Sequence, residues 1–118
     1  MLLALIVVTV SLPSCGDAAE DNGAITIVTT VFPEYDWVTN ILGQAHEDVK
    51  VILLTENGTD LHSFQPTVSD IAKISACDIF ICTGGVSDAW VEDALSSAPN
   101  ANRTVIKLMS LLSEEQKL

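Results

Sequence analysis

Residues 49–85 read VKVILLTENGTDLHSFQPTVSDIAKISACDIFICTGG, and the order of patterns within them decides the fold. Val49 to Leu54 is a run of β-branched and apolar residues, which predicts a strand. Thr55 to Pro66 is polar and contains the Asn57-Gly58 turn pair, so it predicts a loop. Thr67 is a good helix N-cap, and Asp70 three residues later makes a near relative of the capping box. The helix runs to about Ala76, with Ile71 and Ile74 on one side. Asp78 to Thr83 is again a short apolar run, the next strand, closed by the Gly84-Gly85 turn. Strand, helix and strand in succession form a β-α-β unit, which implies parallel strands.

The same alternation continues on both sides. Ala24 to Thr30, AITIVTT, predicts a strand. The segment after Pro33 predicts a helix, with Tyr35, Val38, Ile41 and Leu42 near helical spacing and Gly43 as its stop. Beyond the glycine turn, Ser87 is the expected cap of a helix carrying Trp90, Val91, Ala94 and Leu95, and Pro99 closes that region. Thr104 to Leu108 predicts a fourth strand. Leu111 to Leu118 reads either as the start of another helix or as a frayed tail. The fold class is therefore α/β: a parallel sheet with helices on both faces, in the order β-α-β-α-β-α-β. The strands are almost continuously apolar, as a sheet covered on both faces requires. No internal repeat or low-complexity tract is apparent.

The chain has 118 residues, enough for one small domain with one core. Hydrophobic residues make up 48% of it, and the mean hydropathy is +0.40, which argues against disorder. Sixteen acids against five bases give a net charge of −11. That balance argues against nucleic acid as a partner, because affinity for phosphates comes mostly from Lys and Arg. Acidity fits a solvated surface on an exported domain.

Residues 1–10, MLLALIVVTV, are nearly all apolar. A membrane-spanning helix needs about 18 such residues, and Ser11, Pro13 and Ser14 end the run. Residues 1–14 therefore read as a secretory signal. Its basic start is missing, since the first Lys or Arg is Lys50; the expectation is a true start upstream of Met1. The segment Leu12-Pro13-Ser14-Cys15 resembles a bacterial lipobox, which implies that Cys15 is lipidated and anchors the protein to the membrane. Residues 15–23 then form the anchor and a small, acidic, flexible tether. Cys77 and Cys82 have a C-x4-C spacing that is common neither to zinc sites nor to redox motifs. A disulfide within one strand at that spacing is awkward, because residues five apart point to opposite faces. Both read as buried small apolar residues.

His62 is the candidate metal ligand. Its loop leaves the carboxyl end of the second strand, and ligands of open α/β sheets sit beyond the carboxyl ends of strands. Neutral imidazole suits zinc well. A lone loop histidine is ordinarily a surface residue, and one ligand cannot define a site that needs three or four. His46, in QAHED at the opposite edge, reads as a surface residue. Glu34, Asp36 and Glu56 lie near loop ends and read as solvated acids, with lining of a cleft mouth as the alternative. Asp60 is placed to orient the loop through backbone hydrogen bonds, and Phe64 and Trp90 read as packing residues.

The string Asp60-x-His62-Ser63-Phe64-x-Pro66-Thr67-x-x-Asp70 resembles the metal-site loop of the bacterial zinc and manganese solute-binding lipoproteins of ABC importers. The likeness extends over about 95 residues, Ala24 to Leu118. ITIVTTVFPEYDWVTNILG is similar to the family's opening strand and helix, and SDAWVEDAL to the helix after the third strand. The resemblance implies that residues 24–118 are the N-terminal lobe of a two-lobed protein whose metal lies in the cleft between lobes. It implies His62 as the first ligand to zinc or manganese, an ABC permease as partner, a monomer, and a lipid-anchored or periplasmic place in the cell envelope. It also implies that the remaining ligands lie beyond Leu118, so that the chain reads as a truncated frame. No enzymatic activity is expected. A flavodoxin-like cofactor or enzyme module is the alternative from another class, but neither G-x-G-x-x-G nor G-x-x-x-x-G-K-[ST] occurs. A fragment without independent function is the second alternative.

Overall fold

The computed structural model describes residues 23–43, 48–55, 59 and 62–112. The signal, Cys15 with its tether, His46, Glu56 and Asp60 lie outside the described residues. Four strands form one sheet: β1 (Ile25–Thr29), β2 (Val49–Leu53), β3 (Ile79–Cys82) and β4 (Thr104–Lys107). The helices are α1 (Phe32–Leu42), α2 (Val68–Ala76) and α3 (Trp90–Ser97). All pairings are parallel and the strand order is β2-β1-β3-β4. The α/β architecture read from the sequence is what the chain forms.

The register explains how the strand residues sort. Val28 faces Ile52 on β2 and Phe80 on β3, so these three share one side of the pleat. On that side Val28, Leu54, Phe80 and Cys82 form one buried cluster with Ile74 of α2, Cys77, Val91 and Ala94 of α3, and Ala98. No α1 residue belongs to it; α1 packs on β1 and β2. Ile27, Thr29, Ile79 and Ile81 alternate with the cluster residues and therefore belong to the α1 side. Each large side chain taken from water contributes about 1.5–3 kcal/mol, so the α2–α3 side, with Phe80 and Ile74 fully buried, is the main source of stability.

Several local expectations are met in detail. Thr67 caps α2: its Oγ1 accepts from Asp70 N at 3.2 Å, and Asp70 Oδ2 accepts from Thr67 N at 3.0 Å. Burial alone would raise the Asp70 pKa, but the bonds from the Thr67 backbone and hydroxyl and from Lys73 outweigh it and hold it below 3.8. Cys77 and Cys82 are buried and free. They meet in the same cluster, because Cys77 ends α2 instead of lying in β3. Burial raises both thiols, Cys82 to about 12, which leaves them inert at neutral pH.

Other expectations are corrected. Ser87 is not a helix cap. It lies in a 3-10 turn, Val86–Asp88, and α3 starts at Trp90 after Ala89, without a side-chain cap. Asp88 takes over that stretch: it turns inward, is 6% exposed, and accepts from Gly84 N at 2.6 Å. Gly84 and Gly85 make the tight turn possible, with φ of 85° and 86°. Tyr35, Val38 and Leu42 of α1 are half-buried, but Ile41 is 84% exposed. It stands in the last turn, on the flank of the apolar stripe, where no described element covers it. The fourth strand ends at Lys107, and Leu108–Leu111 coil into a 3-10 turn; residues 113–118 lie outside the described residues.

Candidate functional site

The chain steps from β1 to β2 on one side of β1, then crosses back to β3 on the other. The connections leaving β1 and β3 thus diverge at their carboxyl ends, the place where open α/β sheets form binding crevices. Three successive strand ends meet there: Thr55 after β2, Thr30 after β1, and Thr83 after β3.

Glu34 joins them. It is 2% exposed, although its neighbours Phe32 and Pro33 in the first turn of α1 are exposed. Its Oε2 accepts from Thr30 N at 2.9 Å, Thr30 Oγ1 at 3.0 Å and Val31 N at 3.2 Å. Its Oε1 accepts from Thr83 Oγ1 at 2.8 Å. The reading of Glu34 as a solvated acid is therefore wrong. A carboxylate can be buried when its oxygens are satisfied, and here every donor comes from the strand ends or the helix start. The local sequence held half of this: Glu34 is the third residue of α1 and reaches back to the N-cap amide of Val31, the carboxylate half of a capping box. Val31 has no side-chain oxygen to return the bond, and the partner Thr83 is 49 residues away. The Thr55 hydroxyl donates to the Thr30 carbonyl, so one polar chain runs Thr55–Thr30–Glu34–Thr83 across β2, β1 and β3.

His62 lies in the connection between β2 and α2, exposed and in a turn, beyond the end of β2 that Thr55 ties down. The end of this connection is anchored twice. Phe64 packs edge-on against Trp90, with ring centroids 5.0 Å apart, and the Thr67–Asp70 box fixes the start of α2. Phe64 and Trp90 are thus packing residues, as expected. Asp36 is exposed, as expected. Among the described residues no group of three or more His, Cys, Asp or Glu could hold a metal ion, and one histidine falls short of the three or four ligands that a zinc site needs.

Beside Glu34, on the same edge, opens an apolar cleft of about 550 Å³. Val31, Pro33, Trp37, Leu108, Met109, Leu111 and Leu112 line it, with Glu34 and Thr83 among the lining residues. Trp37 is 56% and Leu111 71% exposed.

The family model described as zinc-uptake complex component A, periplasmic, matches residues 27–117. The chain belongs to this family. It is 32% identical over 86 residues to the zinc-binding protein AdcA of Streptococcus pyogenes serotype M1, covering 73% of this chain and 16% of that protein. It is 28% identical over 96 residues to the zinc-binding lipoprotein AdcA of Streptococcus pneumoniae serotype 4, covering 81% of this chain and 19% of that protein. Among solved structures, the Zn(II)-bound ZnuA-like domain of S. pneumoniae AdcA is similar with a TM-score of 0.61 and 29% identity, over 72% of this chain and 31% of that one. The Pseudomonas aeruginosa solute-binding protein FpvC, solved with Ni2+, is similar with a TM-score of 0.59 and 27% identity, over 71% of this chain and 30% of that one. The chain thus spans less than a fifth of the length of these curated relatives.

Proposed function

We propose that these residues are the N-terminal lobe, residues 24–118, of a protein that captures zinc outside the membrane and delivers it to an ABC permease. The carrying observation is the coincidence of two things: membership of the zinc-uptake family, and a histidine in the family's loop position at the carboxyl edge of the sheet. His62 is the first metal ligand in this reading, and a second lobe supplies the others. The open apolar cleft beside Glu34 supports a second lobe, because a cleft of that composition in water is a surface awaiting cover. Manganese is the alternative cargo; FpvC has been solved with Mn2+ as well as Ni2+. Residues 1–14 are a signal and Cys15 carries a lipid, consistent with the lipoprotein name of the pneumococcal relative. The protein works as a monomer in the cell envelope and is a carrier, not an enzyme.

The test is zinc titration of the full-length protein against a competing chelator, alongside His62→Ala. The variant should lose affinity by orders of magnitude while its apo form melts as the wild type does. Unchanged affinity would remove His62 from the site.

A further inference from the structure

We propose that Glu34 is a positioning residue for metal capture: it locks the ends of three strands into the one arrangement from which the His62 loop is presented. The inference rests on the functional reading above and deepens it. Four observations carry it. The carboxylate is buried, yet it lies in the first turn of a helix whose neighbouring residues are exposed. Both of its oxygens are used, one on β1 and the start of α1, the other on Thr83 beyond β3. Thr30, which it holds through both backbone amide and hydroxyl, is also the residue that receives the first residues after β2: the Thr55 amide and the Thr55 hydroxyl both donate to the Thr30 carbonyl. The connection bearing His62 continues from Thr55. Its far end is fixed separately by Phe64 on Trp90 and by the α2 cap. Glu34 therefore governs the near root of a loop whose other root is already rigid.

A satisfied polar network around a buried carboxylate favours one geometry, because any alternative leaves that carboxylate or the buried Thr30 unpaired. Metal affinity depends on that kind of specification: groups that orient a ligand typically carry about 10–100-fold in affinity. Glu34 makes no contact with metal in this scheme. It acts through Thr30 and Thr55, and its role is geometric, not electrostatic.

The experiment uses full-length protein with zinc as the probe, in wild type and in E34A, E34Q and H62A. Zinc affinity is read by chelator competition well below the melting temperature, apo stability by thermal unfolding, and ligand geometry by the visible spectrum of the Co2+-loaded form. H62A should bind zinc far more weakly. E34A should lose on the order of tenfold in affinity and change the Co2+ spectrum, whereas E34Q, which can keep the acceptor toward Thr30 and Val31, should stay near wild type in both. If E34A fails to fold, T55V and T83V each remove a single bond of the chain and should each weaken zinc binding severalfold. Wild-type affinity in E34A, or in both threonine variants, would overturn the proposal and leave Glu34 a stabilising residue only. An E34Q as impaired as E34A would also overturn it, in favour of a direct effect of charge. Unchanged affinity in H62A would overturn the functional reading itself, independently of what Glu34 does.

Discussion

The two edges of the sheet are finished in opposite ways. At the amino edge, loose backbone ends meet side chains that close them. Arg103 Nη1 donates to the Ile74 carbonyl at 2.7 Å and to the Ala98 carbonyl at 2.9 Å, and so caps α2 and α3 together. Asn100 Nδ2 donates to the carbonyls of Ser75 and Cys77. Asp78 joins β1 to β4: its Oδ2 accepts from Thr26 N at 2.8 Å, and its carbonyl accepts from Thr104 N at 2.8 Å. At the carboxyl edge, the strand ends are tied just as tightly by Glu34, but among the described residues an exposed His62 and an open apolar cleft lie beside them. Carbonyls at helix ends need partners wherever they are, so a closed edge reports only on folding. The carboxyl edge is held as firmly, yet no described element covers it.

The contrast predicts that the two edges respond to mutation on different scales. His62→Ala should have the largest effect, a loss of zinc affinity by orders of magnitude in the full-length protein. Its effect on stability should be on the order of 1 kcal/mol or less, the scale of a single exposed polar interaction. A large fall in the urea midpoint of the apo form would mean that the loop is structural and would blur the distinction. Arg103→Ala should do the reverse. It leaves two helix-end carbonyls without their charged donor, at a cost of about 2–3 kcal/mol on the scale of hydrogen bonds to charged groups. Zinc affinity measured on the fraction that remains folded should not move.

How far this contrast could be read from the chain depends on the reach of each interaction. The β-α-β order, the α2 capping box and the packing role of Phe64 and Trp90 were legible, because apolar periodicity and caps act over three or four residues. His62 was legible as a candidate, because a loop leaving β2 must emerge at the carboxyl edge. Glu34 was not. Its amide partners are local, but its burial depends on Thr83 coming alongside, which only the strand order β2-β1-β3-β4 brings about. Arg103 was invisible for the same reason, since Ile74 lies 29 residues away. Ser87 misled because a serine three residues before Trp90 satisfies the local rule for a cap. The inward turn of Asp88 onto Gly84 is a tertiary demand that overrides it.

Gly84 tests the carboxyl edge at the level of backbone. Its φ of 85° is one that L side chains rarely adopt. An added Cβ would meet Met109 Cβ at 3.5 Å, an ordinary contact, so the cost of Gly84→Ala is conformational. It should be about 1–2 kcal/mol, read from urea unfolding. A smaller value would mean that the turn after β3 relaxes easily and that Thr83 is a poor anchor for Glu34. In that case the rigidity attributed to this edge would be weaker than its hydrogen bonds suggest.

The smallest effect concerns pH and the far root of the histidine loop. Asp70 titrates below 3.8 in the folded protein, because the Thr67 and Lys73 bonds outweigh its burial. A depressed carboxylate stabilises the fold at pH values above its unfolded pKa, and that contribution disappears as the pH falls from 3.8 through the folded value. Asp70→Asn keeps one acceptor for the Thr67 amide but loses the ion pair to Lys73, which is short at 3.1 Å yet partly exposed. The wild type should therefore exceed the variant by about 1 kcal/mol at neutral pH, the usual worth of a cap. The gap should close as the pH drops below 3.8. Since the amino-edge bonds of Arg103 and Asn100 go to carbonyls, which do not titrate, R103A should show no comparable convergence with wild type over that window. A gap between wild type and D70N that stays constant down to pH 3 would mean that the carboxylate's charge contributes nothing, and that the start of α2 is held by the Thr67 hydroxyl on the Asp70 amide and by Phe64 packing.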